Sequence, residues 1–286
     1  MKLCKTVAEL RTEVALAKMA GRSIGLVPTR GALHKWHGSL IAAARKENEL
    51  VIVSVFVNPT QFGPGEDLDA YPRTLEADCL LAEQMGADIV FAPTPKEMYP
   101  SEDMTWVEVT GDITKVLCGR SRPIHFRGVT TVVSKLFNLA QPDRAYFGQK
   151  DAQQVQVIKR MVKDLFFNVQ LRIMPIVREA DGLAKSSRNT YLSPEERQAG
   201  LVLSRSLRQA EALFEQGEGE RDGAELVEVV REMIAAEPLS EIDYVEIYEL
   251  PDLTPLAGKI VGSCLLAVAV RFGTTRLIDN IILEGV

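Results

Sequence analysis

Short apolar, β-branched runs alternate with helix-patterned stretches through residues 1–177, and that alternation narrows the possible folds most. IGLVP (24–28), VIVSVFV (51–57), ADIVFAP (87–93), RAYFG (144–148) and VQLRIMPIV (169–177) read as strands. Residues 5–20, 37–47, 75–86, 129–140 and 151–165 lie between them and carry apolar positions at helical spacing. VIVSVFV holds no charge, as expected of a parallel strand covered on both faces. The pattern predicts an α/β fold: a doubly wound parallel sheet with helices on both sides. Ligands of such sheets bind at the carboxyl ends of the strands.

The grammar changes after residue 178. Ser193 and Pro194 suit the N-cap and first position of a long helix over 193–217. A second helix is expected over 222–237, then strands over 242–250, 259–272 and 275–283. This predicts a smaller α+β domain over 178–286, beside a larger ligand-binding domain over 1–177. Two domains of ordinary size fit 286 residues.

Charge limits the partners. Lys and Arg total 33 against 39 Asp and Glu, a net charge of −6, so the overall field repels nucleic acid and acidic membranes. A bound anion would need a local basic pocket. Cys4, Cys79, Cys118 and Cys264 form no C-x-x-C pair, which predicts reduced thiols rather than disulfides or zinc. The N-terminal stretch lacks a continuous apolar segment, and CLLAVAV is too short to span a bilayer. A cytoplasmic location is expected.

Five segments carry candidate chemistry. In VPTRGALHKWHGSL (27–40), His34 and His37 flank a helix start after a buried strand. Helix N-termini attract phosphate, and imidazoles there can stabilise developing charge. H-x-x-H alone reads as a surface loop; its place after the first buried strand reverses that. Zinc is disfavoured, so no metal site is expected. In SVFVNPTQFGPGEDLDAYPRT (54–74), Asn58 and Gln61 are amides at a strand end, suited to hydroxyls and carboxylates. RSRPIHFRG (120–128) gathers three arginines and a histidine, suggesting anion binding, against a solvated loop. In FGQKDAQQ (147–154), Lys150 could reach a phosphate, Asp151 a ribose hydroxyl and Gln154 a substrate hydroxyl or carboxylate. Ser186, Ser187 and Arg188 suit a triphosphate tail.

In this order and spacing the segments resemble the pantothenate synthetase (pantoate–β-alanine ligase) family of the nucleotidylyltransferase superfamily. NPTQFGPGEDLDAYPRTLEADC, HFRGVTTVVSKLFNLAQPDRAYFGQKDAQQ and READGLA-SSRN carry the match, which runs on through RFGTTRLIDN. The resemblance implies a Rossmann-like first domain, a smaller lid domain and a homodimer. It implies a ligase using ATP and Mg2+: pantoate is activated as pantoyl adenylate, then β-alanine displaces AMP to give pantothenate. By position it implies that His34 and His37 contact phosphates and that Gln61 and Gln154 hold pantoate. Gly148, Lys150 and Asp151 would hold ribose and phosphate, and Ser186, Ser187 and Arg188 the phosphate tail. Asn58 and Arg122 would line the pocket.

The departures from the family pattern concentrate in the site. Where the family reads P-T-M-G-A-L-H-E-G-H-L-S-L, this chain has Arg30 for Met, Lys35 for Glu, Trp36 for Gly and Gly38 for Leu. Lys185 replaces a Met before the two serines, and Ile124 replaces a small residue before His125. An indole at Trp36 is expected to take the volume of a purine and weaken ATP binding. Two further readings stay open. Lys185 could act as a Schiff-base lysine in an engineered or repurposed, aldolase-like site. Alternatively, Arg30 and Lys35 could tune a non-catalytic binder of small acids.

Overall fold

The computed structural model describes residues 1–217 and 222–285; residues 218–221 and 286 lie outside. Contacts divide the chain into two compact units. The first comprises Met1–Thr110, Ser121–Gln149 and Val157–Met174. The second comprises Gly111–Arg120, Lys150–Gln156 and Pro175–Val286. Two segments that precede residue 177 thus belong with the later part of the chain.

Among the described residues, the first unit is built on six strands: β1 (Lys2–Cys4), β2 (Ile24–Thr29), β3 (Leu50–Val55), β4 (Ile89–Phe91), β5 (Arg144–Gly148) and β6 (Gln170–Met174). Their order is β1-β4-β3-β2-β5-β6, and every pairing is parallel. From β2 the chain builds outward to β3 and β4 on one side, then to β5 and β6 on the other. The order therefore reverses between β2 and β5, where Gly25 lies beside Arg144 and Leu26 beside Ala145. Such a reversal opens a crevice above the strand ends, because the connecting helices leave in opposite directions.

The α-helices that precede β6 are α1 (Val7–Met19), α2 (Lys35–Glu47), α3 (Leu75–Gln84), α4 (Pro95–Met98), α5 (Leu117–Ser121), α6 (His125–Ala140) and α7 (Ala152–Asp164). Leu40, Ile41 and Ala44 of α2 and Ala82 of α3 bury against Val27, Val51, Val53 and Val90. Each aliphatic side chain buried there contributes about 2 kcal/mol. Helix α6 is buried on nearly every side. It begins four residues earlier than its apolar pattern suggests, because Gly128 lets it press on residues 60–61. A Cβ on Gly128 would lie 2.5 Å from the Thr60 carbonyl oxygen and 2.6 Å from Gln61 Cα.

Strand β1 is absent from the sequence reading. Three residues carry no usable period, and only pairing with β4 makes them a strand.

The second unit holds α8 (Pro194–Gln216), α9 (Gly223–Ala235) and β7 (Ser240–Glu249), β8 (Thr254–Pro255), β9 (Ser263–Phe272) and β10 (Thr275–Glu284). The strands form an antiparallel sheet in the order β10-β9-β7-β8. Ser193 caps α8 in a capping box with Glu196, and Pro194 opens the helix, as expected. Leu203, Leu207 and Phe214 of α8 and Leu226 and Val230 of α9 cover Leu266, Val268 and Val270 of β9. Segment Gly111–Arg120 also bonds to this sheet. Arg120 grips Glu246 through both nitrogens at 2.8 and 3.1 Å, and Cys118 Sγ lies 3.4 Å from the Tyr244 hydroxyl. None of the four cysteines forms a disulfide.

Tyr146 on β5 fixes the far end of α2. Its hydroxyl donates to Glu47 Oε2 at 2.6 Å and accepts from Asn48 Nδ2 at 2.8 Å. Burial, then the Glu47 carboxylate, pushes the phenol up to about 12, so it stays a neutral donor. Tyr146→Phe is expected to cost about 1–2 kcal/mol, since it deprives buried Asn48 of a partner; urea unfolding followed by circular dichroism measures this.

Candidate active site

The carboxyl end of β2 runs into a turn made of unusual backbone. Gly31 and Ala32 have φ of +81° and +49°. A Cβ on Gly31 would meet Val55 Cγ1 at 3.0 Å and Asp78 Oδ2 at 3.1 Å, so the position favours glycine twice over. Asp78, from the first turn of α3, holds the turn. Its fully buried carboxylate accepts the N–H of Ala32 at 3.0 Å, the N–H of Leu33 at 2.7 Å and the Thr74 hydroxyl at 3.1 Å. Sequence reasoning missed Asp78. Its only signal is an acid at an otherwise apolar helical position.

This turn delivers both histidines to the start of α2. His34 is the N-cap, and its N–H donates to His37 Nδ1 at 3.1 Å. In a neutral His37 ring that bond puts the proton on Nε2. Among the described residues, the buried His34 Nε2 has no hydrogen-bond partner. A buried unpaired ring nitrogen at a helix N-terminus is a site poised for an anion.

Trp36 occupies the same crevice. Its ring stacks on His37, with centroids 3.6 Å apart and planes at 29°. Its Cζ3 lies 3.7 Å from where a Cβ of Gly148 would stand. The indole therefore lies by the end of β5, partly buried against the core that α2 makes with the sheet. Its Nε1 is buried and unpaired.

The amides sit beside this crevice, above the end of β3. Asn58 is fully buried and saturated. Its Nδ2 donates to Gln61 Oε1 at 3.2 Å and the Gly128 carbonyl at 3.1 Å, while its Oδ1 accepts from the Tyr99 and Thr60 hydroxyls at 2.8 and 3.0 Å. Asn58 thereby sets the orientation of Gln61, with Oε1 inward toward the Asn58 amide. His125 Nδ1 lies 2.9 Å from the Gln61 carbonyl oxygen. Asn58, Tyr99 and His125 are thus the frame around Gln61.

The arginine cluster does not assemble as one anion site. Arg122 pairs with Glu66, its Nε donating to Oε1 at 2.9 Å. Arg120 is committed to Glu246 in the second unit, and Arg127 lies 4.3 Å above the Trp106 ring. Each cation has a partner chosen by tertiary contact, which sequence proximity could not disclose. Ile124 is exposed at the N-cap of α6. Gly38 faces away from the crevice, where a Cβ would meet Met85 at 3.0 Å. Lys35 is exposed on the first turn of α2, whereas Arg30 is half-buried with its guanidinium 5.2 Å from the centre of the Tyr71 ring.

The second unit holds the remaining candidates. Lys150, Asp151 and Gln154 are half-buried at the start of α7, and the Lys150 carbonyl accepts from Asn280 Nδ2 at 3.0 Å. Ser186 caps the 3-10 turn Ser187–Tyr191, its hydroxyl accepting from the Arg188 N–H at 3.2 Å. Lys185 is half-buried, and its N–H closes a hairpin on the Val177 carbonyl at 3.0 Å.

Known proteins resemble the chain over its whole length. Residues 2–282 match the family model described as pantoate-beta-alanine ligase. A pantothenate synthetase of Acetivibrio thermocellus is 55% identical over 284 residues, covering 99% of this chain and all of that protein. The crystal structure of pantothenate synthetase from Thermus thermophilus superposes with a TM-score of 0.92 at 47% identity, covering 99% of this chain and 100% of the other. The Francisella tularensis pantoate-beta-alanine ligase, described as complexed with beta-gamma ATP and beta-alanine, has a TM-score of 0.80 at 33% identity, covering 99% and 97%.

Asp78→Asn is expected to lose about 1–3 kcal/mol of stability, because an amide cannot accept from all three donors and leaves one buried and unpaired. Activity should fall by more than the unfolded fraction explains, since the turn carrying both histidines is released; thermal melts beside turnover at a temperature where the variant stays folded measure both.

Proposed function

The chain belongs to the pantoate-beta-alanine ligase family, and from that premise we propose how its residues carry the reaction. The activity is the ATP-dependent ligation of pantoate and β-alanine to pantothenate. In the mechanism proposed, a carboxylate oxygen of pantoate attacks the α-phosphorus of ATP and pyrophosphate leaves. The β-alanine nitrogen then attacks the acyl carbon, AMP leaves, and the nitrogen sheds a proton. The first step needs alignment and charge neutralisation rather than a protein nucleophile.

The observation that carries the assignment is the pair of imidazoles on the N-terminus of α2, with His34 Nε2 buried and unpaired. His34 and His37 donate to phosphate oxygens as charge builds up. Gln61, held by Asn58 and His125, donates to pantoate, and Gln154 supplies a second amide. Gly148 and Asp151 take the ribose, Lys150 the phosphate, and Ser186, Ser187 and Arg188 the pyrophosphate that departs. Among the described residues, no group of three or more His, Cys, Asp or Glu comes together to hold a metal. Mg2+ bound with the nucleotide would neutralise charge on the phosphates. The resemblance supports a cytoplasmic homodimer, which static light scattering tests.

Trp36 makes this site unlike its family's. Glycine at that position leaves room for a flat ring against the backbone; here an indole stacked on His37, facing the open side of Gly148, takes that room. Adenine must displace it, so ATP binds weakly and turnover is slow at ordinary nucleotide concentrations. Trp36→Gly is expected to tighten ATP binding at least tenfold, about 1.4 kcal/mol, by isothermal calorimetry. Equal affinities before and after would sink the obstruction. His34→Ala and His37→Ala should each lower pantoate-dependent ATP–pyrophosphate exchange by about 10²–10³, with a drop in melting temperature too small to account for it.

A further inference from the structure

RFGTTRLIDN near the C-terminus carries two buried polar residues, Asp279 and Asn280, that take no direct part in the chemistry above. They are neighbours on β10, the edge strand of the second unit's sheet. Successive side chains on a strand point to opposite faces. Leu277, Ile281 and Leu283 alternate with Asp279 into the core shared with α8 and α9, so Asp279 points that way and Asn280 the other.

Asp279 holds the hairpin that leads into the serine loop. Both its oxygens receive the Arg178 guanidinium, at 2.6 and 3.0 Å, and Oδ1 also accepts the Asn280 N–H at 2.8 Å. Arg178 donates in turn to the Gly182 carbonyl at 3.3 Å and pairs across the hairpin with Ala184. The same hairpin closes with the Lys185 N–H on Val177, and Asn189 Nδ2 clamps the Ala184 carbonyl at 3.1 Å. Ser186, Ser187 and Arg188 follow directly. On the opposite face, Asn280 Nδ2 holds the Lys150 carbonyl at 3.0 Å.

We propose that Asp279 and Asn280 are positioning residues for the ligation. Asn280 sets the backbone from which Lys150 projects, and Asp279, through Arg178, sets the loop that bears Ser186, Ser187 and Arg188. One stiff edge strand thereby fixes the two phosphate-directed segments of the second unit relative to each other. A two-nitrogen pair between a half-buried arginine and a buried carboxylate is directional, so it fixes the orientation of the hairpin as well as holding it. The inference rests on the roles given above to Lys150 and Arg188.

Crossed double-mutant cycles test it, read by pantoate-dependent ATP–pyrophosphate exchange. Asn280→Asp keeps the volume and replaces the donor with an oxygen facing the Lys150 carbonyl. It should lower kcat at least tenfold, with no further loss in a Lys150→Ala background. Asp279→Asn should raise the KM for ATP at least threefold, with no further rise in an Arg188→Ala background. The opposite pairings, Asn280→Asp with Arg188→Ala and Asp279→Asn with Lys150→Ala, should multiply. General weakening of the fold cannot produce that selectivity. Near-UV circular dichroism confirms folding; should either variant fail, Asn280→Ser or Arg178→Lys takes its place in the same cycle. Unaltered exchange in folded variants, or multiplication in all four pairings, overturns the positioning role alone. Unaltered exchange in Lys150→Ala and Arg188→Ala overturns it together with the roles on which it rests.

Discussion

The first unit's site hangs on the buried Asp78 carboxylate, on which two backbone N–H groups and a hydroxyl converge. Without that acceptor, the left-handed turn at Gly31 and Ala32 would leave buried donors unpaired, a cost of several kcal/mol that a short loop cannot offset. With it, the chain is forced from β2 into α2 along a single path. His34 becomes the N-cap, its N–H meets His37 Nδ1, and the two imidazoles take fixed places at the positive end of a helix. The Asn48–Tyr146–Glu47 bonds secure the other end of that helix, so α2 is held at both termini.

Trp36 is placed by the same chain of constraints. Position 36 lies one residue before His37 on the first turn of α2, so its side chain has little choice of direction. Stacking on an imidazole and packing against the first unit's core hold it in place, and among the described residues its buried Nε1 has no partner. An aromatic pair of this kind is worth about 0.5–1.5 kcal/mol. In the proposed reading, a nucleotide displaces that contact and has the binding energy of a triphosphate with which to do so.

The second unit uses different physics for a similar end. Its polar anchors are side chains on a sheet rather than a turn gripped by a carboxylate. Asp279 and Asn280 exploit the two-residue period of a strand to reach both faces at once, and Gln153 adds donors to the Ile113 and Val116 carbonyls at 3.0 and 2.7 Å. These bonds draw segments from far earlier in the chain onto the unit. For that reason the compact unit does not coincide with a single stretch of sequence.

Strand and helix periods, the Ser193–Pro194 helix start and the motifs around His34, Asn58, Lys150 and Ser186 were legible from residues alone, because local propensity and spacing are written along the chain. They were enough for the α/β class, the family and the candidate residues. Partnership was not legible. Nothing local distinguishes Arg122, spoken for by Glu66, from an arginine awaiting a phosphate, or shows that Gly38 faces Met85 while Trp36 faces Gly148. Asp78 and Asn280 looked like ordinary polar residues until burial gave them work. A hydrogen bond between residues 46 or 130 positions apart depends on how the whole sheet packs, so tertiary structure alone decided which polar groups were already satisfied and which, like His34 Nε2, were left waiting.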